Sequence, residues 1–371
     1  MNILMLLSNP LVVDPRVFKE AKALTEKGHN VTVIVWDKRN EYESEEDLEE
    51  IKVFRVHEKG VSKMIPGVLL KNLLWWWRAY RKSIDVYREG FDFDAVHCHD
   101  FDTLKIGSWL KKKFGCKLVY DAHEIFSLMI KDEHPILSRF SFIMEKRLIK
   151  NVDHIITIDK PFKEYYKKFF DKSITIVMNC KDLVYSEYKP ADNDIFTLVY
   201  IGIMGRGRFF PEIMEIVGEL DDARLILAGK KELLFDEMRE LSTKYENVEF
   251  LGTISTEEIL PLTRKADATF VLADNKGQHH MNVFNKQFEA MVCGRPIIIT
   301  KGTFAAEMTE KLGCGLTVDF DKESVRKTII TLRDNPQLCE RLGKNALKAA
   351  KERYNWEEEK NNLLDVYEDL K

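Results

Sequence analysis

Short apolar runs that break into polar residues at their carboxyl ends, each followed by an amphipathic helical stretch, constrain this chain more than any other feature. Runs suited to strands recur at Ile3–Leu7, Val31–Trp36, Val53–Val56, Ala95–His99, Lys117–Tyr120, His154–Ile158 and Ile174–Met178. Helical patterns fall between them at about 16–27, 66–89, 102–114, 137–150 and 160–169. Strands that are apolar on both faces need cover on both, and alternation with helices supplies it in a parallel, doubly wound sheet. A polar stretch, Tyr185-Ser186-Glu187-Tyr188-Lys189-Pro190-Ala191-Asp192-Asn193-Asp194, then reads as a linker. The alternation restarts at Thr197–Ile201, Arg224–Ala228, Val248–Leu251, Ala268–Leu272, Pro296–Ile299 and Leu316–Val318. The chain of 371 residues is too long for one ordinary core, so two α/β domains are expected, at 1–185 and 186–353, with a closing helix over 354–371.

Composition narrows the function classes. Apolar residues at 45% and aromatics at 11% suit a packed globular protein and exclude a disordered one. A net charge of −4 is small for this length and gives no basic groove for nucleic acid. Cys98, Cys116, Cys180, Cys293, Cys314 and Cys339 are scattered with no Cys-x-x-Cys pair, so reduced, buried thiols in a cytosolic setting are expected. Met1 to Ser8 carries no basic leader and reads as a first strand, not a signal peptide. No run reaches the roughly 20 apolar residues of a spanning helix. The expectation is a cytoplasmic protein, soluble or at the inner face of the plasma membrane.

Two segments depart from the alternation. Glu41 to Glu50 is dense in acids and reads as a solvated loop or helix start. Lys63 to Glu89 mixes Ile65, Leu69, Leu70, Leu73, Leu74, Trp75, Trp76 and Trp77 with Lys63, Lys71, Arg78, Arg81 and Lys82. Such a mixture suits the headgroup layer of a membrane. The favoured reading is a core helix whose basic residues face water.

Chemistry gathers at two strand ends: His97-Cys98-His99-Asp100 and Tyr120-Asp121-Ala122-His123-Glu124. Open α/β sheets bind ligands at the carboxyl ends of their strands. His97 and His99 share a strand face and Cys98 points the other way; nothing nearby completes a metal-ligand spacing, so no metal is expected. Asp92-Phe93-Asp94 sits before a strand, at the far end, and reads as a turn. The loop Ser8 to Val17 lacks glycine, which removes a dinucleotide fingerprint; Asp14 there is a helix cap with Pro15 at the first position, or an acceptor contact.

Four motifs occur in order: Asp14-Pro15-Arg16-Val17, the His97-x-His99-Asp100 strand end, Tyr120 to Glu124, and Asn285-Lys286-x-Phe288-Glu289-Ala290-Met291-x-x-Gly294-x-Pro296. With Tyr354-Asn355-Trp356 and the closing helix, the chain resembles glycosyltransferase family 4 over nearly its whole length. The resemblance implies a GT-B fold of two facing Rossmann-like domains. It also implies retaining transfer of a glycosyl group from a nucleoside-diphosphate sugar, UDP-sugar favoured, to a hydroxyl acceptor, without a metal or other cofactor.

The leaving diphosphate gathers negative charge, so its site needs cations and backbone N–H groups. Arg206 and Arg208 lie on the glycine-bearing loop from Gly202, where a diphosphate approaches. Arg208 falls near the family's basic position and Arg206 is the alternative; Asn285 and Lys286 open the next helix. Glu289 matches the family glutamate that accepts from the ribose hydroxyls. His123 matches the histidine beside the transferred sugar, where it orients the sugar and is not assigned as a general base. The acceptor falls to Asp14, Arg16, His99, Asp100 and Glu124 and is expected to be a glycan or a lipid-linked molecule. Two positions depart from the family: Met281 replaces a glutamate eight residues before Glu289, and Ile203 replaces a basic residue. Backbone N–H groups near His279 to Phe284 would then hold the sugar. A nucleotide-sugar 2-epimerase and a non-catalytic sugar-nucleotide-binding homologue are the rival readings.

Overall fold

The computed structural model describes residues 1–58, 68–274 and 279–371. They form two compact units, Met1–Met178 with Glu359–Lys371, and Asn179–Glu358. Among the described residues, no helix is long and apolar enough to cross a membrane.

The first unit is built on eight strands: β1 (Asn2–Leu7), β2 (Asn30–Asp37), β3 (Glu45–Leu48), β4 (Ile51–His57), β5 (Ala95–His99), β6 (Lys117–Ala122), β7 (His154–Thr157) and β8 (Ile174–Ile176). Their order is β3-β4-β2-β1-β5-β6-β7-β8, parallel except at the β3–β4 edge. Ile3 to Leu6 of β1 are wholly buried at the sheet centre. Strand order reverses between β1 and β5, which makes their carboxyl ends the crevice of this unit. The β5–β6 register sets His99 opposite Asp121, so the two polar strand ends emerge side by side.

The second unit carries β9 (Phe196–Ile201), β10 (Ala223–Ala228), β11 (Val248–Gly252), β12 (Ala268–Val271), β13 (Ile297–Thr300) and β14 (Gly315–Val318), all parallel in the order β11-β10-β9-β12-β13-β14. The reversal here lies between β9 and β12. Its core centres on Tyr200, Phe210 and Phe270, with Tyr200 stacked on Phe270. A Cβ at Gly229 would run into the Gly202 carbonyl, so glycine lets the ends of β9 and β10 close together.

Every expected strand is present, with ends moved by at most a few residues. The acidic run is a correction: Glu45–Leu48 is an edge strand, neither loop nor helix start. Its carboxylates find cations across the ladder, Glu45 with Lys52 at 3.0 Å and Glu46 with Arg55 at 2.6 Å. Glu49 and Glu50 turn it back with left-handed backbone angles, φ 45° and 69°.

The tryptophan segment divides. Lys63 and Ile65 lie outside the described residues, and the helix runs Val68–Arg88. Trp75 is core, stacked on Trp36 with centroids 5.3 Å apart, and Trp76 is buried with Nε1 donating to the Asp102 carbonyl. Only Trp77 of the three faces outward, 52% exposed beneath the Arg81 guanidinium.

Candidate active site

In the first unit, buried Asp121 is a hub. Its Oδ2 lies 2.8 Å from His123 Nε2, 3.4 Å from His99 Nδ1 and 3.6 Å from His97 Nε2, and Oδ1 accepts from Arg16 Nη2 at 3.0 Å. Arg16 stands in the first turn of helix Pro15–Glu26, capped by Asp14, whose side chain accepts from the Val17 N–H. One turn along, Glu20 accepts from Arg16 Nε at 2.8 Å. The His97 and His99 rings stack with centroids 4.3 Å apart, as alternate residues of one strand face must. Cys98 points to the other face, against Gly107.

These charges set one another's protonation. Burial alone would raise the Asp121 pKa, but Arg16 and His123 hold it well below the usual carboxylate range. Burial and Arg16 oppose the His123 imidazolium, yet Asp121 and Asp100 outweigh them and lift its pKa to about 9. His97 and His99 are pushed down by burial and stay neutral, while burial and Asp121 push Glu20 up. A charged His123 has no lone pair to take a proton, so at neutral pH it is a hydrogen-bond donor, not a base.

Asp100 fixes the loop that carries His123. Its backbone is left-handed, φ 61°, a conformation costing a non-glycine residue about 1–3 kcal/mol. Three hydrogen bonds offset this: its N–H donates to the Asp121 carbonyl, and its Oδ1 accepts from the N–H groups of His123 and Glu124. Glu20, His99, Asp121 and His123 bring potential metal-ligand atoms within 4.8 Å of one another. Spacing along the chain does not show this convergence, because Glu20 and His123 come from other elements than His99; in the structure Arg16 donates to both acids, through Nε to Glu20 and Nη2 to Asp121.

In the second unit, cations converge on Tyr200 at the end of β9. Lys286 Nζ lies 4.6 Å from its ring centroid, and Arg208 Nη1 is 3.5 Å from its hydroxyl, which donates to the Ile203 carbonyl. The space that Lys286 fills is the space a Cβ on Gly202 would take. Lys286 and Asn285 begin helix Asn285–Cys293, whose amino-terminal N–H groups add positive potential. Glu289, one turn in, is buried and 3.5 Å from Lys181, and Asn285 accepts from Asn179 at 2.8 Å. Opposite Gly207, Asp274 accepts from His279 at 2.9 Å. Arg206 stands apart, exposed beside Glu237 at 3.6 Å.

Within the first unit Arg16, His99, Asp100 and His123 therefore gather, Asp14 serves as a cap, and Glu124 points to solvent. Within the second, Gly202, Arg208, Lys286, Asn285 and Glu289 share one loop-and-helix corner, and Arg206 does not. Glu20, Tyr200, Lys181 and Asn179 were missed. The Arg16–Glu20 helical spacing and the aromatic just before Gly202 were available signals; Lys181 and Asn179 belong to no motif.

Residues 16–184 match the profile of Glycosyltransferase Family 4, and residues 210–349 match Glycosyl transferases group 1. An uncharacterised glycosyltransferase of Methanocaldococcus jannaschii, MJ1069, is 22% identical over 343 residues, spanning 86% of this chain and 85% of the relative. Among solved structures, sucrose-phosphate synthase from Thermosynechococcus elongatus superposes with a TM-score of 0.79 at 16% identity, covering 100% of this chain and 99% of its own. HepE from Anabaena in complex with UDP-glucose does so with a TM-score of 0.73 at 13% identity, over 100% of both chains. The fold is GT-B, two parallel-sheet α/β domains, and an epimerase reading is not favoured by these matches. The chain belongs to glycosyltransferase family 4 and is a glycosyltransferase.

Proposed function

We propose that the protein is a retaining glycosyltransferase that uses a UDP-sugar. The observation that carries this reading is the pairing of Arg208 and Lys286 over Tyr200, beside Gly202 and a helix amino terminus. Two cations and the N–H groups of a helix amino terminus match the charge that develops on a departing diphosphate, so no metal or other cofactor is required. HepE, which binds UDP and UDP-glucose, has the same fold. In this reading the second unit holds the donor: Glu289 accepts from the ribose hydroxyls, and N–H groups near His279 to Phe284 serve the sugar where Met281 cannot.

The first unit holds a hydroxyl acceptor, a glycan or lipid-linked molecule, at the cytoplasmic face. His123, charged and oriented by Asp121, donates to a sugar oxygen. Retention proceeds without an enzymic nucleophile, and the leaving diphosphate oxygen takes the acceptor's proton. The test is proton NMR of the anomeric centre during turnover of UDP-sugars. Axial donors giving axial products support the reading; inversion, or conversion of the donor without loss of UDP, contradicts it.

A further inference from the structure

Helix Pro135–Leu148 of the first unit is built inside out. Its inner face is mostly polar: Ser138, Ser141 and Glu145 are buried along with Leu148, with Ser138 donating to the Ser127 carbonyl and Glu145 accepting from the hydroxyls of Tyr120 and Tyr166. Its outer face carries an apolar stripe, with Ile136 88%, Phe140 55% and Ile143 41% exposed at helical spacing. Ile136 and Phe140 also line an open groove of about 600 Å³ with Glu133, His134, Pro135 and Leu137. Single exposed apolar residues are ordinary, but a stripe of three on the outer face of a helix with a mostly polar inner face is an interaction surface.

Charge identifies its partner. Arg139, Lys146, Arg147 and Lys150 are exposed on or just beyond this helix, whereas Asp132 and Glu133 precede it. Helices Val68–Arg88 and Pro135–Leu148 both pack against Phe101–Phe114, making one layer over the sheet. Val68–Arg88 carries five Lys and Arg, Phe101–Phe114 four and Pro135–Leu148 three, against one acid each, in a chain whose net charge is −4. Exposed Leu73 and Trp77, the latter under Arg81, add a second apolar patch to that layer.

We infer that this helix layer is a docking face for an anionic lipid bilayer, with Ile136, Phe140 and Ile143 entering the headgroup region and the flanking cations meeting lipid phosphates. Amphipathic helices bind interfaces through apolar area together with attraction to anionic lipid. A second copy of the chain is a poor partner, because a two-fold contact would set these cations against themselves. The inference concerns this face alone and stands whether or not the UDP-sugar reading does.

The test is co-sedimentation of the full chain with vesicles of phosphatidylcholine, with and without phosphatidylglycerol, at low and high salt. Two variants accompany it, Ile136→Ser/Phe140→Ser and Arg139→Gln/Lys146→Gln/Arg147→Gln, whose changes are exposed and should leave circular dichroism unaltered. Wild type is expected to sediment with anionic vesicles only, less at high salt. The apolar variant should lose binding, and the charge variant should bind about a hundredfold more weakly, at about fivefold per cation. Absence of binding to anionic vesicles, equal binding to neutral ones, or unchanged binding by either variant overturns the inference. So does a dimer in solution that the Ile136→Ser/Phe140→Ser change dissolves while vesicle binding stays absent.

Discussion

The Tyr367 hydroxyl lies 2.7 Å from Nδ1 of His97, both fully buried, so the last helix reaches the histidine cluster of the first unit. The other nitrogen of that imidazole faces Asp121 at 3.6 Å. Tyr367→Phe keeps the packed ring and removes the one hydrogen bond that His97 makes through Nδ1. It should cost about 1–3 kcal/mol, since a buried polar atom is left unpaired. Chemical denaturation followed by circular dichroism checks this; an unchanged midpoint would show that His97 does not depend on Tyr367.

The raised pKa of His123 gives stability a pH dependence of known sign. Protons bind it more tightly in the folded chain, at about 9 against the ordinary 6.5, so the stabilisation is complete below 6.5 and is lost as pH rises toward 9. The loss should be on the order of 2–3 kcal/mol. Glu20, also raised, works in the same direction. Melting temperatures from pH 6 to 9.5 should fall for wild type and flatten in His123→Asn, while equal slopes would dissociate the trend from this residue.

Arg206 and Arg208 stand at the two ends of one three-residue helical turn and differ in surroundings. Arg208 reaches the Tyr200 hydroxyl beside Lys286, whereas Arg206 leans on exposed Glu237. Arg208→Ala and Lys286→Ala should each weaken UDP binding about 10- to 100-fold, the worth of a charge-assisted hydrogen bond. Arg206→Ala should change it less than about threefold, as exposed pairs contribute little. Titration calorimetry separates them, and a reversed ranking would move the diphosphate to the outer loop.

Gly202→Ala tests the same corner by volume. The added methyl collides with the flexible end of Lys286, which must move, and at a φ of 157° a residue with a Cβ is strained, so some stability is lost as well. Nucleotide affinity should drop about tenfold, and the melting temperature should fall with the cost of the strained backbone, about 1–3 kcal/mol. Retained affinity would mean that Lys286 is not placed by Gly202.

Local pattern carried much of this fold, and its limits are physical. Ala95–His99 was legible to the residue because an unbroken apolar run is bounded on both sides. Glu45–Leu48 was not, since its strand character comes from Lys52 and Arg55 across the ladder rather than from its own acids. Trp75, Trp76 and Trp77 look alike in sequence; only the partners Trp36 and the Asp102 carbonyl set two of them inside. The gathering of His99, Asp121 and His123 followed from two strand ends in parallel register. Arg16 could not be placed by local pattern, because its buried partner Asp121 is 105 residues away.

The most direct measurement is calorimetric binding of a nucleoside-diphosphate panel to wild type and to Glu289→Ala. Glu289 is buried 3.5 Å from Lys181, in the helix that Lys286 opens, and is assigned to the ribose. UDP should bind wild type, with affinity reduced at least about tenfold in the variant as a buried acceptor is lost. Binding of no nucleotide, or equal binding by both proteins, would contradict a donor site in this corner of the second unit.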